Sequence, residues 1–409
     1  MRNKIITILV LLLIFITGIS IQFDNIVSTT LKSVLDKVCA ETSDSAVANL
    51  EESTLDMSTD MSTINSNILN SLSYKNTLVD LNGTVLKNTG TRSYYNISNG
   101  INITTNGYNV GSYSKTSTDY EIEQMQSFKA YLDSKGIKLL YVNEPAKYID
   151  DSFYTEQFGG ESYLNRNADL FLSRISELDI DYLDLRDSIK EDGLDPLSLF
   201  YKTDHHWTVP ASQWASEKMA EKLNDDFGYR IDLALYNQEQ FESVYYQNCW
   251  LGEQGKKVSK NYIGLDDYVM MKPLYDTSYQ VFAPDGNVVT TGTFDIFIDQ
   301  SVYVNNQNYY TAPSWHYSYL PYAGNTIHND NADYGNILVL GDSYESSMLP
   351  FLSLGIENIK LLVLRDIEGS VRDYIEAGNY DTVIIAYAQF MIGAHDDPEN
   401  ANYRMFTLD

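Results

Sequence analysis

Basic side chains are scarce in this sequence. Its 409 residues contain 28 Lys and Arg against 56 Asp and Glu, which gives a formal net charge of −28. Such a charge repels phosphate backbones and anionic lipid surfaces, so it argues against nucleic acid as a partner and against a strongly anionic polymer as an acceptor. The 33 tyrosines instead favour a neutral ligand that is bound by ring stacking and hydroxyl hydrogen bonds. Tyrosine is also a good strand former, so β-rich structure is an equally open explanation of its abundance.

Cysteine is equally scarce, since Cys39 and Cys249 are the two cysteines of the chain. They allow one disulfide at most, and only in an oxidising compartment. No fixed-period repeat is found, which argues against a repeat architecture. The length suits either one large α/β domain with insertions or two smaller domains, and a hydrophobic content of 44% is enough for a substantial core.

The N-terminus combines positive charge with an apolar run. Arg2 and Lys4 precede residues that are almost all apolar as far as Phe23. About 20 apolar residues span a bilayer, and no small-x-small cleavage site closely follows this run. We therefore predict that residues 1–23 form an uncleaved signal anchor with the rest of the chain outside the cell, and that the polar residues 24–72 form a stalk.

From residue 119 onward, helical and strand patterns alternate along the chain. The predicted strands are 137–142, 180–185, 337–340, 360–364 and 382–387. The predicted helices are one that ends at Gly136, 163–178, 209–223, 346–352 and 370–377. This alternation predicts an α/β fold with a mostly parallel sheet that is covered on both faces, and ligands bind such sheets beyond the carboxyl ends of the strands.

Two segments depart from this alternation. Residues 227–330 are rich in Tyr and Asn and prone to form strands, with a turn signal at Asp285-Gly286, so we interpret them as a β-rich insertion that builds part of the cleft wall. Near the start of the folded part, the Asn-Gly pair within residues 79–85 predicts a β-hairpin.

One candidate nucleophile follows the strand at 337–340, which runs directly into Gly341-Asp342-Ser343. A serine at such a strand-to-helix turn exposes its hydroxyl at the carboxyl edge of the sheet, where backbone N–H groups at the helix start can stabilise an oxyanion. Gly341 permits the tight turn. Asp and Ser are also common helix caps, so this motif alone predicts either a nucleophile or a structural turn.

A candidate general base lies in a second loop. Two of the five histidines, His205 and His206, directly follow Asp204 in front of a helix that Thr208 caps. A serine hydroxyl becomes a good nucleophile when a neutral imidazole takes its proton and a carboxylate holds the other ring nitrogen. Asp204 and His206 can present both groups to one side of a cleft. The alternative is a capping and hydrogen-bonding cluster in which Trp207 fills the core.

The Asp-His-His sequence also superficially matches metal-dependent phosphoesterases of the DHH type. Such metal sites need several further carboxylates in recognisable clusters, and the sequence has none with convincing spacing. We therefore expect neither a metal ion nor another cofactor.

Taken together, Thr-Asp-His-His-Trp-Thr at 203–208 and Leu-Gly-Asp-Ser-Tyr at 340–344 resemble the DHHW group of SGNH-hydrolase-like proteins, relatives of the AlgX- and AlgJ-type alginate O-acetylation proteins. Asn-Glu-Pro-Ala-Lys at 143–147 and Leu-Arg-Asp at 364–366 agree with this resemblance. It covers roughly residues 72–395. In that family, as here, the Asp-x-His element precedes the Ser element, which is the reverse of the order in ordinary SGNH esterases.

The resemblance implies an SGNH-hydrolase-like three-layer fold over residues 73–409. It further implies that Ser343 is the acyl-accepting nucleophile, His206 the general base and Asp204 its orienting carboxylate, with His205 at a variable position. The Ser343 backbone N–H should be one oxyanion donor. Trp207 is a candidate platform for a sugar ring. The other substrate-binding candidates are Lys147 as a cleft residue and Tyr344, Arg365 and Gln389 as possible second oxyanion donors.

These expectations predict an extracytoplasmic O-acetyltransferase that acts on a cell-surface or secreted polysaccharide and becomes an acetylesterase when water replaces the sugar. The resemblance implies a membrane-bound O-acyltransferase as the partner that supplies acetyl groups. The chain shows no obvious carbohydrate-binding module of the AlgX kind, and its acidity argues against alginate itself. Two other functions stay open: a non-catalytic polysaccharide-binding or scaffold subunit of an acetylation and export complex, and a general secreted esterase.

Overall fold

The computed structural model describes residues 75–94, 101–303 and 308–408. The predicted anchor and stalk, and with them Cys39, lie outside the described residues. Among the helices of these ranges, none has both the length and the apolar content of a membrane span. Residues Asn76–Asp409 cluster into one compact unit.

Helices and strands alternate through most of this unit. In the described ranges the α-helices are α1 (Lys75–Thr89), α2 (Asp119–Lys135), α3 (Asp151–Phe158), α4 (Leu164–Ser176), α5 (Leu185–Glu191), α6 (Val209–Phe227), α7 (Glu253–Val258), α8 (Lys260–Ile263), α9 (Glu345–Leu352) and α10 (Val371–Ala377). The strands there are β1 (Ser93–Tyr94), β2 (Ile101–Ile103), β3 (Asn109–Val110), β4 (Lys138–Glu144), β5 (Asp181–Asp184), β6 (Phe241–Trp250), β7 (Asp266–Pro273), β8 (Tyr279–Phe282), β9 (Val288–Gly292), β10 (Thr326–Asn329), β11 (Asn336–Leu340), β12 (Asn358–Leu362) and β13 (Thr382–Ala388).

An eight-stranded sheet forms the centre of the unit, with the strand order β5-β4-β13-β11-β12-β10-β8-β9. The first five of these strands run parallel to one another. The central strands β13 and β11 are almost entirely buried, as expected for parallel strands covered on both faces. The predicted α/β fold with a mostly parallel sheet is therefore confirmed.

The segment 227–330 contributes strands to two sheets. Its strands β8, β9 and β10 extend the central sheet as an antiparallel edge beside β12, and β8 and β9 are joined through the predicted turn at Asp285-Gly286. Its strands β6 and β7 pair with each other in a separate two-stranded sheet. The insertion therefore makes the central sheet mixed.

The hairpin predicted at 79–85 is wrong, because these residues belong to helix α1. A side chain on Gly83 would put its Cβ 2.3 Å from Cβ of Ser259, so the glycine is needed for close packing and not for a turn. The Ser259 hydroxyl donates to Asp80 at 2.9 Å on the same helix. Tertiary contacts therefore override the local turn preference of Asn-Gly.

Two helices bring the predicted motifs together. Helix α6 follows the Asp-His-His loop, helix α9 follows Ser343, and the two pack through small residues. The hydroxyls of Ser212 and Ser347 share a hydrogen bond of 2.6 Å, and Ser216 donates to the carbonyl of Met348 at 3.0 Å. Because serines permit a close approach of the helices, the loops at their amino ends lie side by side.

Candidate active site

Ser343 lies at the carboxyl end of β11, in a turn before α9, with its side chain partly exposed. Its neighbour Asp342 is buried and accepts two backbone hydrogen bonds, each of 2.9 Å. One comes from the Tyr344 N–H and the other from the Ala388 N–H at the end of β13. Asp342 therefore ties the Ser343 turn to the adjacent strand, and both of its oxygens are engaged.

Gly341 is required by the side chain that folds over it. A Cβ at this position would lie 2.6 Å from Cδ of Glu345. The Glu345 carboxylate accepts the Asp342 N–H at 2.7 Å, which fixes it in that place. The glycine thus serves a close approach within the turn.

A buried cluster of carboxyl groups lies beside the Ser343 turn. Glu144 at the end of β4 joins Asp342 and Glu345, and the three groups offer oxygens within 4.8 Å of one another. Burial, together with the charges of Glu345 and Asp342, raises the pKa of Glu144 well above its usual range. Burial and Asp342 raise the pKa of Glu345 in the same direction. A hard cation could bridge such oxygens, but both Asp342 oxygens are occupied by N–H groups, so a proton shared by the two glutamates fits the geometry better.

The predicted serine, histidine and aspartate meet beside this turn. His206 Nε2 lies 2.8 Å from Ser343 Oγ, although the two residues are 137 positions apart in the chain. His206 Nδ1 lies 2.6 Å from Asp204 Oδ1. Because a carboxylate cannot donate, Nδ1 carries the proton and Nε2 is left to accept the serine hydroxyl proton.

The pKa shifts of Asp204 and His206 suit a general base that is neutral before it takes a proton. Burial alone would raise the pKa of Asp204, but the imidazoles of His316 and His206 lower it well below its usual range. Burial lowers the pKa of His206 well below its usual range, and positive charge on His205 or His316 lowers it further, against the opposing effect of Asp204. Near neutral pH the site therefore holds a carboxylate and a neutral imidazole.

The insertion clamps the loop that carries Asp204. Asp204 Oδ2 accepts the backbone N–H of Glu253 at 2.9 Å. The hydroxyl of Thr203 accepts the Gly252 N–H at 2.6 Å and donates to Asp266 at 2.5 Å. The orientation of the carboxylate is thus set by residues nearly 50 positions further along the chain.

Trp207 and Tyr344 lock the two motifs together. The indole N–H of Trp207 donates to the carbonyl of Tyr344 at 3.1 Å, and the Tyr344 hydroxyl donates to the carbonyl of His205 at 2.8 Å. Trp207 is only 2% exposed, so its ring does not face a ligand as the sequence analysis expected. Tyr344 is likewise buried, and its hydroxyl is already engaged.

The remaining predicted substrate-binding residues lie around the site with other contacts. Lys147 is buried beneath the Asp-His-His loop, where it donates to the carbonyl of Lys202 at 3.3 Å, and burial lowers its pKa to about 7. The Gln389 amide is buried and donates to Asn165. Arg365 is partly exposed and donates to an asparagine of the C-terminal segment. The structure therefore does not bring Lys147 into the cleft.

Sequence reasoning missed two aromatic residues of the insertion, His316 and Tyr317, in a 3-10 turn at Trp315–Ser318. The His316 ring stacks on the His206 ring with a centroid distance of 3.7 Å and an interplanar angle of 19°. Tyr317 is 51% exposed, with its centroid 5.9 Å from that of His206. The rarity of histidine in the chain was the available signal for the first of these residues.

Asp204, His206 and His316 also offer possible metal ligands within 4.8 Å of one another. The two imidazole planes are nearly parallel and stacked, so the lone pairs in those planes run side by side and do not converge on one point. Both nitrogens of His206 are already engaged by Asp204 and Ser343. This arrangement suits proton transfer better than metal coordination.

Comparison with known families now identifies the fold. Residues 106–244, which include the Asp-His-His loop and end before Ser343, match the family model of the SGNH hydrolase-like domain of acetyltransferase AlgX. The chain thus contains an SGNH hydrolase-like domain. The resemblance noted from the two sequence motifs is therefore confirmed. No curated protein matches the chain by sequence.

Two solved structures share the fold of this chain. A DHHW family protein from Eubacterium siraeum aligns with a TM-score of 0.57 at 14% identity, over 78% of this chain and 98% of that one. PatB1 from Bacillus cereus aligns with a TM-score of 0.56 at 17% identity, over 71% of this chain and 96% of that one. The O-acetyltransferase domain of Pseudomonas putida AlgJ aligns less well, with a TM-score of 0.43 at 12% identity, over 75% of this chain and 98% of that one.

Proposed function

We propose that the protein is an O-acetyltransferase whose nucleophile is Ser343, whose general base is His206 and whose orienting carboxylate is Asp204. One observation carries this proposal: the continuous hydrogen-bonded path from Ser343 Oγ through both ring nitrogens of His206 to the buried Asp204. A structural turn needs neither a buried carboxylate nor a histidine with a depressed pKa. Perturbed groups of this kind cluster at functional sites.

The first half-reaction transfers the acetyl group to the enzyme. Ser343 Oγ attacks the carbonyl carbon of the acetyl donor while His206 Nε2 takes the hydroxyl proton. The bond between that carbon and the oxygen of the donor then breaks, and His206 returns the proton to the leaving oxygen. The Ser343 N–H has no hydrogen-bond partner among the described residues, which leaves it free to stabilise the oxyanion.

The second half-reaction releases the acetyl group to a sugar. An acceptor hydroxyl gives its proton to His206 and attacks the acyl-enzyme, and Ser343 recovers the proton as it leaves. Water in the place of the sugar makes the same site an esterase. The exposed ring of Tyr317 beside His206 favours the sugar, because an aromatic face is a good platform for a pyranose ring.

The net charge of the chain and the family model that it matches support a neutral polysaccharide as the acceptor. A net charge of −28 favours a neutral polysaccharide over an anionic one. The family model that matches the chain is named for an acetyltransferase. The basic and apolar N-terminal residues support an extracytoplasmic enzyme held by an anchor, and a membrane-bound O-acyltransferase is the partner we propose as the source of acetyl groups.

The test uses the full-length protein, an acetyl ester as donor and a panel of neutral oligosaccharides as acceptors. We expect mass spectrometry to detect acetylated sugar. Ser343→Ala, His206→Ala and Asp204→Asn should each lower the rate on the order of 10⁴-fold. Ser134→Ala, an exposed serine at the end of α2, is the matched control and should act as the wild type does.

A covalent probe separates the site from the choice of acceptor. PatB1 has been solved with a sulfonyl adduct. A sulfonyl fluoride should label the peptide that contains Ser343, and the labelling should be lost in Ser343→Ala and strongly slowed in His206→Ala. Unimpaired acetylation by cells that carry Ser343→Ala would show that the protein is a scaffold. Labelling and ester hydrolysis without any sugar product would identify it as an esterase.

A further inference from the structure

His316 is a buried polar side chain that the proposed reaction does not use. It is 4% exposed, and neither of its ring nitrogens has a hydrogen-bond partner in the part of the chain that the structure describes. Leaving a buried polar atom unpaired costs free energy, and a phenylalanine would fill a similar space without this cost. The presence of an imidazole at this position therefore needs an explanation.

The imidazole ring of His316 covers one face of the His206 ring, and this contact offers an explanation. His316 stacks face to face on His206, with centroids 3.7 Å apart and planes inclined by 19°. Asp204 and Ser343 hold the two nitrogens at the edge of the same His206 ring. The general base is thus fixed in its own plane by hydrogen bonds and across that plane by His316.

We propose that His316 is a positioning residue for His206: its neutral ring face holds the imidazole in place and stabilises the imidazolium that forms when His206 takes the serine proton. This inference rests on the proposed function. The proton passes from Ser343 Oγ to His206 Nε2 as Oγ bonds to the acetyl carbon, and nothing is transferred to His316. A cation close to an aromatic face is stabilised electrostatically, and the stabilisation grows when water is excluded.

His316 can act in this way because it stays neutral. Burial lowers its pKa to about 4. The groups that face it oppose one another, since Asp204 and Glu253 favour its protonation while His205 and Lys256 disfavour it. Aromatic rings of Trp250 and Tyr317 also lie against it, at centroid distances of 5.8 and 3.9 Å. Above about pH 5 the ring neither competes for the proton nor repels the imidazolium.

The experiment compares two substitutions in the full-length protein. His316→Phe keeps an aromatic face, and His316→Leu fills the space without one. With an acetyl ester as substrate, we expect kcat of His316→Leu to fall by about 2- to 30-fold with little change in KM, because the lost interaction exists only once His206 is charged. His316→Phe should stay within about 3-fold of wild type, because it retains the face. His328→Leu, a partly exposed histidine on β10, is the matched control and should leave kcat unchanged.

The pH profile separates this role from simple packing. Losing the stabilisation of the imidazolium should move the acid limb of kcat/KM in His316→Leu to lower pH, by about 0.3 to 1.5 units, the logarithm of the same fold-change. If His316 only excluded water, its loss would hydrate His206 and move that limb to higher pH. Such a shift, a wild-type kcat in folded His316→Leu, or an equal loss in folded His316→Phe would each overturn the inference.

A further readout keeps the inference distinct from the proposed function. The rate at which a sulfonyl fluoride labels Ser343 needs the imidazole but neither an acetyl donor nor a sugar. Wild-type protein without Ser343-dependent turnover would refute the proposed function. The inference would then be judged on labelling alone, which should be slower in His316→Leu than in His316→Phe. Equal labelling rates in these two variants, with folding verified by circular dichroism, would refute it.

Discussion

Gly252→Ala should disable the site although it replaces none of the three proposed catalytic side chains. Gly252 has φ −69° and ψ 170°, a conformation that alanine also adopts, so the substitution introduces no backbone strain. The added Cβ, however, would lie 2.5 Å from Cβ of Asp204 and 2.6 Å from the carbonyl oxygen of Thr203. The effect of the substitution is therefore a purely steric pressure on the loop that carries the carboxylate.

The size of the effect follows from these contacts. Carbon atoms pack at about 3.5 Å or more, so the loop at Asp204 has to move by roughly 1 Å. Two of the three nearest atoms to the new Cβ belong to the backbone of Thr203, so a change of side-chain rotamer gives no relief. Overpacking of this kind costs about 1 to 3 kcal/mol of folding free energy. A displacement of about 1 Å in a catalytic group lowers rates on the order of 10²-fold.

The assay is hydrolysis of an acetyl ester, with unfolding by urea measured in parallel. Gly160→Ala is the matched control, because the nearest atom to its added Cβ lies 3.5 Å away on Tyr154, an ordinary contact. We expect Gly160→Ala to behave as wild type and Gly252→Ala to lose about 10²-fold in kcat while still folding. A Gly252→Ala protein with wild-type kcat would refute the reasoning that the insertion sets the position of Asp204.

Three further predictions concern the surroundings of the site. The folded pKa of Glu144 lies above its ordinary value of 4.5, so the wild-type free energy of unfolding should fall as pH rises above about 4.5. Glu144→Gln should reduce that slope by up to about 1.4 kcal/mol per pH unit, and equal slopes in urea titrations at several pH values would contradict the raised pKa. Trp207→Phe leaves the buried carbonyl of Tyr344 without its donor, so urea unfolding should show a loss of about 1 to 3 kcal/mol, whereas full stability would show that this hydrogen bond is dispensable. Lys147→Met should leave KM for the acceptor unchanged, because the amine lies beneath the Asp-His-His loop. A raised KM would show that Lys147 contacts the acceptor.

The central part of the fold was predictable from local patterns. Strands β4, β11, β12 and β13 coincide closely with the predicted apolar runs, because strands buried on both faces need continuous hydrophobic sequence. The antiparallel strands β8 to β10 were not predicted individually. Strand β9, for example, is largely exposed, so its sequence carries no burial pattern. The hairpin prediction at Gly83 was wrong for a related reason. The glycine is needed for close packing against Ser259, which is distant in the sequence, and not for a turn with its neighbours.

The candidate site divides in the same way. Asp204, His206 and Ser343 belong to short motifs whose residue types reveal the chemistry they can perform. The residue types of the groups that hold the Asp204 loop reveal nothing of their role. Gly252 and Glu253 act through backbone N–H groups, which nearly every residue possesses. The stacking of His316 on His206 joins positions that are 110 apart, and no local pattern encodes such a contact.

Gly252 and Glu253, which hold the Asp204 loop, come after that loop in the sequence, and this order has a consequence for how the protein folds. As the chain is synthesised from its N-terminus, Asp204 and His206 emerge before residues 252 and 253, whose amides hold the loop and its carboxylate. The stacking ring of His316 follows, and Ser343 comes last of all. The proposed chemistry therefore requires the chain from Asp204 to Ser343, and a prematurely terminated product that ends before residue 343 lacks the proposed nucleophile.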